Sequence, residues 1–291
     1  MGTFDASVRI LVCSNCGASL PPVGPEGGSV QCAFCHQASY VGIRDDGSMA
    51  SGAPVDEAAR LASLWRQVDT GFNVHPEVTQ LGEHGQLTEQ NVEAARQQWE
   101  RARAIAADPA QAATIGDDLM WLTTLLVGFW ASQGDRVRIR ALWESTLEAS
   151  QGPRQRQFSR CALCRLSVND HDLDDAISWL RPCDPQPSDL CSDSSYRLSY
   201  AYLTTAQGQF DLALQALGRT PNELPWFFSV KMLAYITRAN ALEKSGDVAG
   251  AVQQLRDLAA TSPDAAFVVP GMRNANPALD LCPQSIPMVF G

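Results

Sequence analysis

Apolar residues recur with helical spacing along most of this chain. In residues 56–68 they fall at Leu61, Leu64, Trp65 and Val68, and in residues 88–107 at Val92, Ala95, Trp99, Ala102 and Ile105. Steps of three and four put such residues on one face, so the spacing predicts two amphipathic helices. Thr88 stands where the second would be N-capped. The N-terminal stretch is patterned differently. Residues 8–12, 28–32 and 37–41 are short and β-rich, and Pro21, Pro22, Gly24, Pro25, Gly27 and Gly28 lie between them, as in a hairpin with an exposed loop. Residues 42–54 are polar and rich in Gly and Ser, which predicts a flexible linker.

A longer period runs over the helical signal from about residue 117. Gly134, His171, Gly208 and Gly246 follow one another at intervals of 37, 37 and 38 residues. The last three open the same phrase: His171-Asp172-Leu173-x-x-Ala176-x-x-x-Leu180, Gly208-Gln209-Phe210-x-x-Ala213-x-x-x-Leu217 and Gly246-Asp247-Val248-x-x-Ala251-x-x-x-Leu255. Gly134-Asp135, with Ile139 and Trp143, is a looser copy, because Arg136 takes the place of the apolar residue. Pro153, Pro187, Pro225 and Pro263 follow the four turns. Each phrase reads as a helical hairpin. A turn residue ends one helix, Asp or Gln opens the next, and a small Ala allows close approach. Cys164, Ala201 and Ala239 are the matching small residues on the first helices. Over roughly residues 117–264 this pattern resembles the tetratricopeptide repeat family, with hairpins slightly longer than its usual unit. The resemblance implies a solenoid of stacked α-hairpins whose concave face binds peptides or proteins. A plain helical bundle without a groove is the competing expectation.

Four N-terminal cysteines add chemistry. Cys13, Cys16, Cys32 and Cys35 form two C-x-x-C pairs separated by fifteen residues. Two such turns can complete a tetrahedron of thiolates around one Zn²⁺. A redox pair would call for a βαβ setting, which nothing here supplies. Cys-x-x-Cys-Gly with Leu20 behind it, followed by Val-x-Cys-x-x-Cys, resembles the zinc ribbon family over about residues 8–42. His36 replaces that family's usual glycine and reads as a neighbour of the site. Four thiolates leave no position for water, so one structural zinc is expected, with no catalytic role.

The expected architecture is therefore mainly α: a β zinc ribbon over 1–42, a linker over 43–54, leading helices over 55–110, tetratricopeptide-like repeats over 111–264 and a tail over 265–291. Pro270, Pro277, Pro283 and Pro287 argue against a regular helix in that tail. Its many apolar residues suggest an extended cap on the last hairpin. A lead from Ile286–Phe290 into an absent membrane segment is the other possibility.

Charge and cysteine usage narrow the function classes. The net charge of −10 disfavours a phosphate backbone as ligand. The remaining five cysteines are odd in number, unlike a secreted disulfide framework. Cys161, Cys164, Cys183 and Cys191 are either a second metal site at irregular spacing or small buried side chains. The N-terminus lacks the pattern of a secretory signal, and the run Leu119–Ala131 is broken by Thr123, Thr124 and Gly128, so a cytoplasmic location is expected. Arg136, Arg140, Arg154, Arg156 and Arg160 crowd the first hairpins. They are candidates for reading an acidic peptide or a terminal carboxylate, or else they pair with the aspartates around them. His75, Glu83 and His84 share an irregular stretch without metal-ligand spacing. No catalytic motif is present. These features point to a non-enzymatic scaffold or adaptor for a protein or peptide partner. The second choice is a nucleic-acid-binding or transcription-regulatory protein using the ribbon.

Overall fold

A computed structural model describes residues 28–31, 38–43, 49–54, 57–68, 71–82, 86–108, 110–220, 223–275 and 281–291. Three of these segments are strands: β1 (Gly28–Gln31), β2 (Ala38–Ile43) and β3 (Met49–Pro54), joined as an antiparallel sheet in that order. Gln31 lies opposite Ala38 and Gly28 opposite Val41. Ile43 pairs with Met49, and Ser39 with Pro54 after a register shift. Residues 49–54 are thus a strand where a linker was expected. This Met-Ala-Ser-Gly-Ala-Pro run lacks β-branched and aromatic residues and so carries no strand signal, but the open edge of β2 offers its backbone the hydrogen bonds it must find. Cys13, Cys16, Cys32, Cys35 and the expected strand 8–12 lie outside the described residues.

The remainder is helical: α1 (Glu57–Trp65), α2 (Pro76–Thr79), α3 (Val92–Ala106), α4 (Ala112–Ser132), α5 (Arg136–Ala149), α6 (Pro153–Asn169), α7 (Leu173–Leu180), α8 (Leu190–Ala206), α9 (Phe210–Leu217), α10 (Phe228–Lys244), α11 (Val248–Thr261), α12 (Ala265–Ala275) and α13 (Ser285–Phe290). Thr88 precedes α3 by a turn, its N–H donating to Asn91, which takes the cap position. No described helix is long and apolar enough to cross a membrane.

The repeated phrase has a repeated hydrogen-bond cause. Gly134, His171, Gly208 and Gly246 all have positive φ, at 70°, 60°, 76° and 98°. After each, the next residue's N–H reaches back five positions to a helix carbonyl: Asp135 to Trp130, Asp172 to Ser167, Gln209 to Thr204 and Asp247 to Leu242, at 2.8–3.0 Å. This is the left-handed C-terminal cap that satisfies a helix's last carbonyls. Asp135, Asp172 and Asp247 then cap the following helix by accepting from the N–H of Arg138, Asp175 and Gly250. Gln209 makes no such bond. Ala176, Ala213 and Ala251 are fully buried, as are Cys164, Ala201 and Ala239 on the facing helices.

In the row that results, α6 packs on α7 and α8, α8 on α9 and α10, and α10 on α11. The described parts of the tail, 265–275 and 281–291, cover the far end, with α12 and α13 where an extended stretch was expected. Ala265, Val269, Leu281 and Ile286 join the core formed by Leu255 and Leu258. Pro270 lies inside α12. The carbonyl it leaves without a donor is that of Ala266, an exposed residue, so the missing N–H costs little there. Buried Glu243 of α10 accepts the N–H groups of Gln284 and Ser285 at 2.8 and 2.9 Å, tying the start of α13 down.

Candidate binding groove

The N-terminal parts of α4, α6, α8 and α10 receive another piece of the chain, residues 57–68 and 71–75. Its first anchor is charged. Asp193 of α8 is completely buried and accepts from Arg60 Nη1 at 2.6 Å and from Arg197 Nε at 2.7 Å. Arg197 also donates to the Pro225 carbonyl at 2.6 Å and stacks over the Trp226 ring at 4.0 Å. Arg60 reaches the Pro187 carbonyl and is braced by Glu57. Burial works against the charge of Arg60, but Glu57 and Asp193 outweigh it and raise its pKa. For Arg197 burial wins over the pull of Asp193, and its pKa is lowered. Arg197 Nη1 and Trp226 Nε1 are buried without a hydrogen-bond partner among the described residues.

The second anchor is apolar. Leu64 is fully buried in the cluster that contains Phe158, Leu190, Leu198 and Phe227. Gln67 holds the end of the turn after α1, donating to the Ser188 carbonyl and accepting from the Leu190 N–H. Phe72 then enters an aromatic socket. Its ring meets Trp121, Phe158, Phe227 and Phe228 edge-on, at centroid distances of 6.4, 6.0, 5.0 and 5.9 Å. The Arg154 guanidinium lies 5.6 Å from both Phe72 and Phe227. Edge-to-face rings and a cation over a ring face add specific geometry to burial.

Beyond Phe72 the backbone is pinned to α4. Asn73 N–H donates to Asp117 and His75 N–H to Asp118, both at 2.8 Å, and His75 Nδ1 lies 2.6 Å from the other Asp118 oxygen. An open cleft of about 430 Å³ adjoins, lined by Asn73, Val74, His75, Pro76, Thr114 and Asp117.

The arginines singled out in the sequence each make contacts within the chain, three of them with carboxylates and two with backbone carbonyls. Arg136 pairs with Asp170 at 2.6 Å, and Arg140 with Asp170 and Asp175 at 3.2 Å. Arg154 pairs with Asp117 at 3.4 Å in addition to its ring contacts. Arg156 donates to the Ser150 carbonyl and Arg160 to that of Pro182. The acidic residues that follow them in sequence are in part their structural partners.

Cys161, Cys164, Cys183, Cys191 and Cys282 are buried free thiols. The first and third share one apolar cluster with Cys164, Val168, Ala176 and Leu203, while Cys191 belongs to another. Burial pushes the thiols of Cys164, Cys191 and Cys282 up to about 12. Among the described residues no His/Cys/Asp/Glu group has the arrangement of a metal site. His75 is a partner of Asp118; Glu83 and His84 lie outside the described residues.

The sequence carried no sign that residues 57–68 and 71–75 would dock. Arg60, Leu64 and Phe72 have helical or loop spacing, and none of it encodes a receptor surface. No family model, curated protein or solved structure matches this chain.

Proposed function

We propose that this protein is a non-enzymatic scaffold or adaptor that binds protein or peptide partners through its helical body. In this reading the hairpins from α4 to α11 stack as tetratricopeptide-like units, and a structural zinc ribbon serves as a second interaction module. The observation that carries it is the docking of residues 57–68 and 71–75. The helical row accepts a stretch of polypeptide through a buried carboxylate and an aromatic socket, the kinds of anchor that dominate peptide recognition. The ribbon part rests on the spacing of Cys13, Cys16, Cys32 and Cys35 around one Zn²⁺.

Panning the immobilised full chain against a random displayed peptide library tests the binding function. Saturable micromolar or tighter binders that cross-link to α4–α11 are expected. Absence of any binder, or retention of nucleic acid in place of peptides, overturns it. The zinc is tested separately by elemental analysis and by thiol titration of the folded chain. One equivalent of zinc is expected, with four thiols becoming reactive on addition of chelator. Thiols at the four N-terminal cysteines that react at once would remove the ribbon from the proposal.

A further inference from the structure

We infer that a cleft between α6, α8 and α10 is a small-molecule site, which binds a free monocarboxylic acid with a short apolar body through Arg165 and Tyr202. The site goes beyond the adaptor reading, since its ligand is not a polypeptide, and it stands or falls apart from that reading.

The cleft has a volume of about 230 Å³. Trp143, Phe158, Val230 and Leu233 are among its walls, and Met272 and Leu281 of the tail add to them. Mostly apolar walls with a few polar groups are the usual make-up of a ligand pocket. Leu166, Tyr202, Ser229 and Leu233, which line it, are half-buried, so the cleft reaches solvent. At about 30 Å³ per non-hydrogen atom, the share of one water in the liquid, the space takes about eight such atoms. A six-carbon acid has that size, and a peptide of several residues exceeds it.

The polar part of the cleft holds an arginine with no carboxylate partner among the described residues. Arg165 is half-buried and donates from Nη1 to Ser199 Oγ at 2.7 Å. The acidic groups that act on it are the thiols of Cys161 and Cys164 and the phenol of Tyr202; none is a carboxylate. Arg60, Arg136, Arg140, Arg154 and Arg197 each meet an aspartate instead. Burial lowers the pKa of Arg165, but a guanidinium does not lose its charge in a protein. Burial also pushes the Cys164 thiol and the Tyr202 phenol up to about 12, so both are neutral at ordinary pH. A partly desolvated cation among such groups gains from an incoming carboxylate, which pairs with it through charge-assisted hydrogen bonds.

Tyr202 stands at the position of Arg165 in the next hairpin, 37 residues on, and α6 packs on α8. The Arg165 guanidinium pulls on the Tyr202 phenol against the burial that raises it, so the two polar heads lie in one another's field. The protonated hydroxyl can donate to the carboxylate that pairs with Arg165. Asn169 Oδ1 and Ser229 Oγ, from two more lining residues, are buried without a hydrogen-bond partner among the described residues. Such groups gain from a polar ligand or a water bound with it. Ser229 and Val230 belong to the first turn of α10, whose cap residue Phe227 supplies no side-chain cap, and that end of a helix favours an anion.

The probe is hexanoate, titrated calorimetrically into the full-length protein. One saturable site tighter than about 1 mM is expected, an affinity that about eight non-hydrogen atoms can supply. Hexanamide, which lacks the charge, and acetate, which lacks the chain, should each bind at least about tenfold more weakly. Arg165→Gln should lose at least about tenfold and Tyr202→Phe about threefold, the worth of one charged and one neutral hydrogen bond. No saturable binding to the folded wild-type chain overturns the site, and so does hexanamide binding as well as hexanoate. Wild-type affinity in both variants overturns it too. If Arg165→Gln loses its cooperative melt, Tyr202→Phe decides alone, and unchanged affinity there counts against the site. A tripeptide acid ending in leucine that binds at least about tenfold more tightly than hexanoate assigns the cleft to a chain terminus and overturns the free acid as ligand. Failure of hexanoate with library binders retained removes only this site, and failure of the library with hexanoate bound removes only the adaptor reading.

Discussion

Replacing Asp193 by alanine should be more damaging than replacing Arg60, although the two side chains touch. The Asp193 carboxylate is 0% exposed and bonds to two arginines, of which Arg60 and Arg197 are 11% and 10% exposed at the side chain. With Asp193→Ala, Arg197 keeps only the Pro225 carbonyl and the Trp226 ring face, and it sits mid-way along α8, where it cannot swing into water. Removing one partner of a buried ion pair costs about 3–5 kcal/mol, because the other charge stays buried. With Arg60→Ala, Asp193 retains Arg197, so the pair remains neutral overall. The loss is one charge-assisted hydrogen bond, about 1.5–3 kcal/mol. The expected order is Asp193→Ala worse than Arg60→Ala by roughly 1–2 kcal/mol, from the same two ranges. The double variant should cost less than the sum, since both remove the same contact. Urea unfolding of the three variants measures this, provided the slope with denaturant stays constant. If Arg60→Ala costs as much as Asp193→Ala, docking of α1 and not the buried charge governs this region, and the argument fails.

His171 is the one non-glycine among the four hairpin turns, at φ 60°. His171→Gly should relieve strain of about 1–2 kcal/mol, offset by about 0.5–1 of chain entropy, for a net gain near 0.5–1 kcal/mol in urea unfolding; a loss would contradict the left-handed turn. Ala251→Leu should overpack the α10–α11 crossing and cost about 1–3 kcal/mol, and an unchanged melt would place Ala251 outside it. Burial pushes the Asp175 carboxyl up, but hydrogen bonds from Ser167, Trp179 and Arg140 outweigh it and hold it below its ordinary 3.8. Its stabilisation is therefore full above the ordinary value and is lost as pH falls through the lower folded value. Asp175→Asn should flatten the acid loss of stability below about pH 4, the ordinary aspartate range, and an identical pH profile would rule the linkage out.

What the sequence determined by itself is local. A left-handed turn residue, the Asp after it and a small residue one turn on are each satisfied within about ten positions, so the phrases at 171, 208 and 246 announced their hairpins. The buried alanines followed from the same spacing. Tertiary structure decided which groups meet across long separations. Arg140 finds Asp170 and Asp175, 30 and 35 positions away, and Arg60 finds Asp193, 133 positions away. Charge alone cannot distinguish such internal partners from an external one, so the acidic partners of Arg136, Arg140 and Arg154 were not legible from the cluster. β3 and α12 escaped for a related reason. A Gly/Ser run becomes a strand only when a neighbouring edge needs its backbone, and a helix tolerates Pro270 when Ala265 and Val269 beside it are fully buried. Docking of residues 57–68 and 71–75 belongs to the same class: a nine-residue helix with one buried leucine is held by the surface it meets, and that surface exists only once the hairpins have packed.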